Sequence, residues 1–121
     1  MHYLPWNVPD EAIAALQPAF DRSDSFSAEY WVQRARDDTA AIWRVGDVWA
    51  VIEICPLKDG LGLHFVGLAC PPGQFTTEVI EEAEAWGKSK GCKRSYFTGR
   101  RGWAKKLPDY TEQAIVCAKE L

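Results

Sequence analysis

Apolar residues along this chain recur at two spacings. Ala12, Ile13, Leu16 and Phe20 follow the 3.6-residue period of a helix. Further on, Trp31 and Ala35 share one helical face, and Arg34 and Asp38 lie on another. Asn7 can cap the first of these segments, with Pro9 in its first turn and Pro18 ending or bending it. Ser27 can cap the second, after a polar loop over 21–25. The pattern then changes to a period of two. Ala41, Trp43 and Val45 alternate with Ile42 and Arg44, and Gly46-Asp47 is a two-residue hairpin signal. Val48 to Cys55 reads as the next strand, with Pro56 ending it and Lys58-Asp59-Gly60 turning the chain. Leu63 to Cys70 is apolar on both faces apart from His64, which predicts a strand in the interior of its sheet.

Cys70-Pro71-Pro72-Gly73 breaks this run. Thr76 or Thr77 can cap the helix that follows. Glu78, Glu81 and Glu82 load its first half, Lys88 and Lys90 its last turn, and Val79, Ala83 and Trp86 form its inward stripe. Gly91 suits the residue after its end. The pattern thus predicts helices over 9–18, 27–37, 77–90 and 101–107, the last stopped by Pro108. It predicts strands over 40–45, 48–55, 62–70, 92–98 and 113–119, with Tyr3-Leu4 as a stub strand. The strand at 92–98 follows a helical crossover and should run parallel to 62–70. The fold class is α/β, one domain over 1–121 with a mixed, mostly antiparallel sheet, and no repeat or linker interrupts it.

Composition narrows the function classes. With 121 residues, 47% hydrophobic and 26% charged, the chain can bury a core without metal or disulfide staples. A net charge of −3 does not favour nucleic acid. The six Trp residues should carry much of the core or an interface. Cys55, Cys70, Cys92 and Cys117 form no CxxC pair and read as small buried hydrophobes of a reducing cytoplasm; no metal site is expected. The start has no basic stretch leading into a long apolar run, and no apolar run reaches membrane-spanning length, so no membrane partner is expected.

The element order resembles the GNAT acyltransferases, with two helices before an antiparallel meander, then a strand–turn–helix, a parallel strand and a last helix–strand unit. The likeness covers about residues 3–121. Within that superfamily it is similar to small GNAT-like proteins of tailed bacteriophages, through Gly99-Arg100-Arg101-Gly102-Trp103 followed by Leu107 and Tyr110. The resemblance implies a coenzyme A loop at the start of the third helix. Gln74 takes its first position, Thr76 and Thr77 follow, and its two glycine positions fall on Thr77 and Val79, whose branched side chains would crowd a diphosphate. It also implies a Tyr acid on the last helix, where Leu107 stands, leaving Tyr110 as a displaced substitute. A base would sit on the central strands. Glu53 is the first candidate and His64 the second, each also readable as an ordinary strand residue without an acid–base partner nearby in sequence.

Charge is uneven. Lys88, Lys90, Lys93, Arg94, Arg100, Arg101, Lys105 and Lys106 are eight of the 14 basic residues, in a segment free of Asp and Glu. Lys93, Arg94, Arg100, Arg101, Lys105 and Lys106 form a candidate patch for an acidic protein face, with nucleic acid less favoured. The leading expectation is a phage-type GNAT-like protein that has lost catalysis and binds no cofactor. It would act through contacts with itself or other proteins, as a virion component or in assembly, in the host cytoplasm or the virion. The alternative is an acyl-CoA-dependent N-acyltransferase with a divergent loop. It would use acetyl-CoA, with Gln74, Thr76 and Thr77 at the cofactor, Glu53 as base and Tyr110 as acid.

Overall fold

A computed structural model describes residues 1–21, 26–99, 102–111 and 117–121. A short 3-10 turn at Pro5–Asn7 precedes α1 (Glu11–Phe20) and α2 (Ala28–Arg36). A meander follows, β1 (Ala41–Val45), β2 (Val48–Leu57) and β3 (Gly60–Ala69). Then come α3 (Glu78–Ser89), β4 (Cys92–Phe97) and α4 (Gly102–Lys106). The sheet order is β1-β2-β3-β4, antiparallel except for the parallel pair β3/β4, so β3 is interior as its apolar run predicts. His2 forms an isolated bridge to Trp43 and Tyr3 N donates to Ile42 O, but Tyr3-Leu4, expected as a stub strand, is not one.

Several boundaries differ from the sequence expectation, each for a local reason. Asn7 ends the 3-10 turn and does not cap α1; the first helical bonds run from Ala12 N to Pro9 O and from Ile13 N to Asp10 O. Pro18 lies inside α1, which continues to Phe20. The last turn survives because Asp21 N bonds Gln17 O, Gln17 Nε2 bonds Asp21 Oδ1, and Phe20 is buried. Pro56 lies inside β2, which runs on to Leu57. Since β1 pairs β2 only as far as Ile52, the outer part of β2 is an edge on that side, and an edge tolerates the missing N–H. Ser27 caps α2 as expected, accepting from Tyr30 N; Thr77 is the N-cap of α3, its carbonyl accepting from Ile80 N and Glu81 N, but its side chain makes no cap and Oγ1 bonds Glu81 Oε1. Of the expected strand at 113–119, residues 113–116 lie outside the described set, and 117–119 form no strand. Cys55, Cys70 and Cys92 are only half-buried, and Cys117 is exposed.

Helices cover both faces of the sheet. On one face α1 and α2 bury Leu16, Phe20, Trp31 and Val32 against Ile42, Trp49, Val51 and Ala69. On the other, Val79, Ile80 and Ala83 of α3, with Leu107, pack on Trp43, Ala50, Ile52, Leu63, Phe65 and Leu68. The period of two along each strand assigns every residue to one of these layers. One irregularity interrupts it. Val51 pairs Gly67 while Ile52 pairs Phe65, so Val66 is an extra residue on β3, a bulge.

Candidate functional site

The β3/β4 ladder ends at Phe65 and Phe97, with a last bond from Thr98 N to Phe65 O. β3 continues to Ala69, so beyond Phe65 its edge facing away from β2 has no strand partner among the described residues. Here the two parallel strands part. A cleft of about 1530 Å³ opens beside them, lined by Val66 to Gly73, Phe75, Phe97 to Gly99, Trp103 and Lys106, with Ala15, Pro18 and Ala19 of α1 and Trp31 of α2. The bulge and Gly67 shape its floor. The Phe20 ring lies so close to Gly67 that a Cβ there would meet Cζ at 2.7 Å.

Glu53 and His64 also line this cleft. They pair directly across β2 and β3, and alternation puts both on the α1/α2 face. His64 Nδ1 lies 3.3 Å from Glu53 Oε1, and His64 Nε2 lies 2.7 Å from Thr98 Oγ1. Arg34 Nη1 donates to Glu53 Oε2 at 2.9 Å. Arg34 is itself fixed by Thr39, through its carbonyl at 2.7 Å and Oγ1 at 3.2 Å, and by the face of Trp31 at 4.8 Å. A carboxylate only accepts, so the hydrogen bond to Glu53 places a proton on Nδ1 and leaves the Nε2 lone pair facing the Thr98 hydroxyl. Both side chains keep about a quarter of their surface exposed, 24% for Glu53 and 25% for His64. The site is desolvated but reachable. Arg34 and Thr98 were missed in the sequence because their partners lie far along the chain.

The other candidates fall elsewhere. Tyr110 packs on the α3 face, opposite Glu53 and His64, and does not line the cleft. Its hydroxyl donates to Glu84 Oε2 at 3.0 Å and shares a short hydrogen bond with Ser95 Oγ. Burial raises the pKa of the phenol, and burial likewise raises that of Glu84. Leu107 is core on the same face, 4% exposed. Gln74, Thr76 and Thr77 are exposed and do not line the cleft. Val79 is fully buried and points into the core, and Thr77 turns to Glu81. The expected crowding of the turn by Thr77 and Val79 is therefore absent. Pro71 and Pro72 instead deprive the turn of two N–H donors, and Glu78 and Glu81 put negative charge beside it. Of the basic patch, Lys93 lies against Gly60, Arg94 contacts Asp59 at 3.4 Å, Lys105 is exposed, and Arg100 and Arg101 lie outside the described residues. Among the described residues of the patch only Lys106 reaches the cleft, with its ammonium over Trp103 at 4.9 Å and Phe75 at 5.7 Å.

No family model and no curated protein matches the chain. Solved structures do. An aminoglycoside acetyltransferase from an uncultured soil metagenomic sample aligns with TM-score 0.72 and 12% identity, covering 100% of this chain and 95% of that one. A ribosomal-protein-alanine N-acetyltransferase from Brucella melitensis aligns with TM-score 0.66 and 7% identity, covering 99% and 98%. The fold is GNAT-like. A protein from Clostridium acetobutylicum described as a predicted acetyltransferase, solved with acetyl-CoA, aligns with TM-score 0.67 and 8% identity, covering 100% and 93%. These likenesses extend over nearly the whole of each chain. Among the described residues, no three His, Cys, Asp or Glu side chains converge as a metal site, and no helix is long and apolar enough to cross a membrane.

The edge of Val66–Ala69 in the cleft has no strand partner among the described residues, so its backbone groups are open to a ligand. At the turn, Gly73 has φ +76, and a Cβ there would meet nothing within 4 Å, so the backbone is open to a ligand. Lys106 supplies the nearby positive charge.

Proposed function

We propose that this chain is an acyl-CoA-dependent N-acyltransferase whose base is the His64–Glu53 pair. The observation that carries this reading is the position of that pair. It lies in the cleft where β3 and β4 separate, with an imidazole lone pair that faces the Thr98 hydroxyl and a carboxylate to hold the ring. Attack of an amine on a thioester needs the amine neutral and the developing oxyanion stabilised. His64 removes the proton at Nε2, the amine taking the place of the Thr98 hydroxyl there. Glu53 stabilises the imidazolium that forms, and Arg34 keeps Glu53 in place. Unpaired backbone N–H groups on the β3 edge are placed to polarise the acyl carbonyl. Lys106 and the turn at Gly73 meet the phosphates. Tyr110, on the far face, takes no part in this scheme.

The reading of a degenerate protein without cofactor rests on Thr77, Val79 and Leu107. Two of these are core residues, and the third bonds within its own helix. A phage or virion role has no support in the likenesses above. The test is to mix the protein with acetyl-CoA and a panel of primary amines and follow free thiol. Amine-dependent release is expected, lowered by about 10²-fold or more in His64→Ala and in Glu53→Gln. Silence across the panel, with no acetyl-CoA binding by calorimetry, would overturn the proposal.

A further inference from the structure

Thr98 is used by nothing in the reaction just described, yet its hydroxyl sits 2.7 Å from His64 Nε2. It is the first residue past the end of β4, exposed, and a lining residue of the cleft. Its backbone is fixed by the bond from its N–H to Phe65 O, which directs the side chain to the α1/α2 face beside His64. Behind it the order is hydroxyl, imidazole, carboxylate: Thr98, His64, Glu53, with the carboxylate held in turn by Arg34. A nucleophile within hydrogen-bond reach of a base, and a base oriented by a third group, is the arrangement that activates an alcohol for acyl transfer, whatever the fold that carries it. The remaining requirement is a set of donors for the oxyanion. It is met by the unpaired backbone edge of β3 in the same cleft.

We propose that Thr98 is an acylatable nucleophile, giving the cleft a second activity, the hydrolysis of activated acyl esters and thioesters through an acyl-threonine. In the first half, Thr98 Oγ1 attacks the acyl carbonyl as its proton passes to His64 Nε2. The bond from carbonyl carbon to leaving group then breaks, and the departing phenolate or thiolate takes that proton back. In the second half, water attacks the threonine ester and gives its proton to His64. The bond from acyl carbon to Thr98 Oγ1 breaks, the alcohol recovers the proton, and a carboxylic acid is released. No oxidant, metal or further reactant is needed. The donor need only carry a good leaving group, so this proposal does not depend on coenzyme A or on an amine acceptor.

The experiment uses p-nitrophenyl acetate with the full chain, no amine and no coenzyme A, followed by intact mass and peptide mapping beside the nitrophenol signal. A single acetyl group on Thr98 is expected, formed with a burst. It should be absent in Thr98→Val and slowed about a hundredfold or more in His64→Ala. Thr98→Ser should restore it, and circular dichroism confirms that each variant is folded. Acetylation confined to lysines, an unchanged burst in Thr98→Val, or a Thr98 adduct that forms at the same rate without His64 would each overturn the proposal. A silent amine panel would sink the N-acyltransferase reading and leave this result standing.

Discussion

At the scale of single residues, two tyrosine and histidine networks divide the labour of the molecule. The Glu53–His64–Thr98 set lies in the cleft, while Tyr110, Glu84 and Ser95 tie α4's trailing segment to α3 and β4 on the opposite face. Replacing Tyr110 by Phe leaves a half-buried carboxyl at Glu84 without its donor. The expected outcome is a loss of about 1–2 kcal/mol in urea unfolding, with acyl transfer unchanged. An acid role for Tyr110 would give the reverse, a stable protein with impaired turnover. Glu53 and His64 were each legible in the sequence as base candidates, but not as a pair, although the register that joins them is local. A turn at Lys58-Asp59 sets Leu57 opposite Gly60, and counting back along both strands sets Glu53 opposite His64. Thr98 and Arg34 were not legible, because one arrives through a helical crossover and the other from a helix packed on the sheet. No local spacing encodes either approach.

At the scale of elements, periodicity identified the described helices and strands, and it failed where a proline's effect depends on its neighbours. Pro56 was read as ending its strand, and Pro18 as ending or bending its helix. Whether a proline stops an element depends on who would have used the missing N–H, and that is a tertiary fact. The bulge at Val66 was equally hidden, since an unbroken apolar run gives no sign of which residue is extra. At its neighbour Gly67 the Phe20 ring of α1 packs directly on the backbone of β3. Gly67→Ala should force the Phe20 ring to move. A destabilisation of about 1–3 kcal/mol is expected by thermal or urea melts, and Phe20→Leu in the same chain should relieve part of it.

At the scale of the whole molecule, a sheet covered on both faces is closed along its β1 edge by the N-terminal residues. His2 stacks on Trp43 at 5.0 Å and meets Trp86 edge-on at 5.1 Å, joining β1 to α3. Burial, and then the positive N-terminus, lower its pKa from 6.5. The unfolded chain therefore binds the His2 proton more readily than the folded one. Stability should fall as pH drops through 6.5, and level off once the folded protein too has taken up the proton. Glu84, with its raised pKa, works in the opposite sense at lower pH: stability it contributes in acid is lost as pH rises through the raised value. Thermal melts of the wild type and of His2→Gln across pH 5 to 8 separate the two. The difference between the proteins should shrink as the pH falls.

The parting of β3 from β4 makes one strand play two roles along its length. Up to Phe65 it is locked between neighbours; past that point its flank lies bare inside a cleft. A bare flank on so greasy a strand invites any extended chain to zip onto it, including a sister molecule. The bulge that skews this stretch and the two prolines just beyond it make such zipping awkward, so the same features that ready the cleft for a slender guest also guard the protein against clumping.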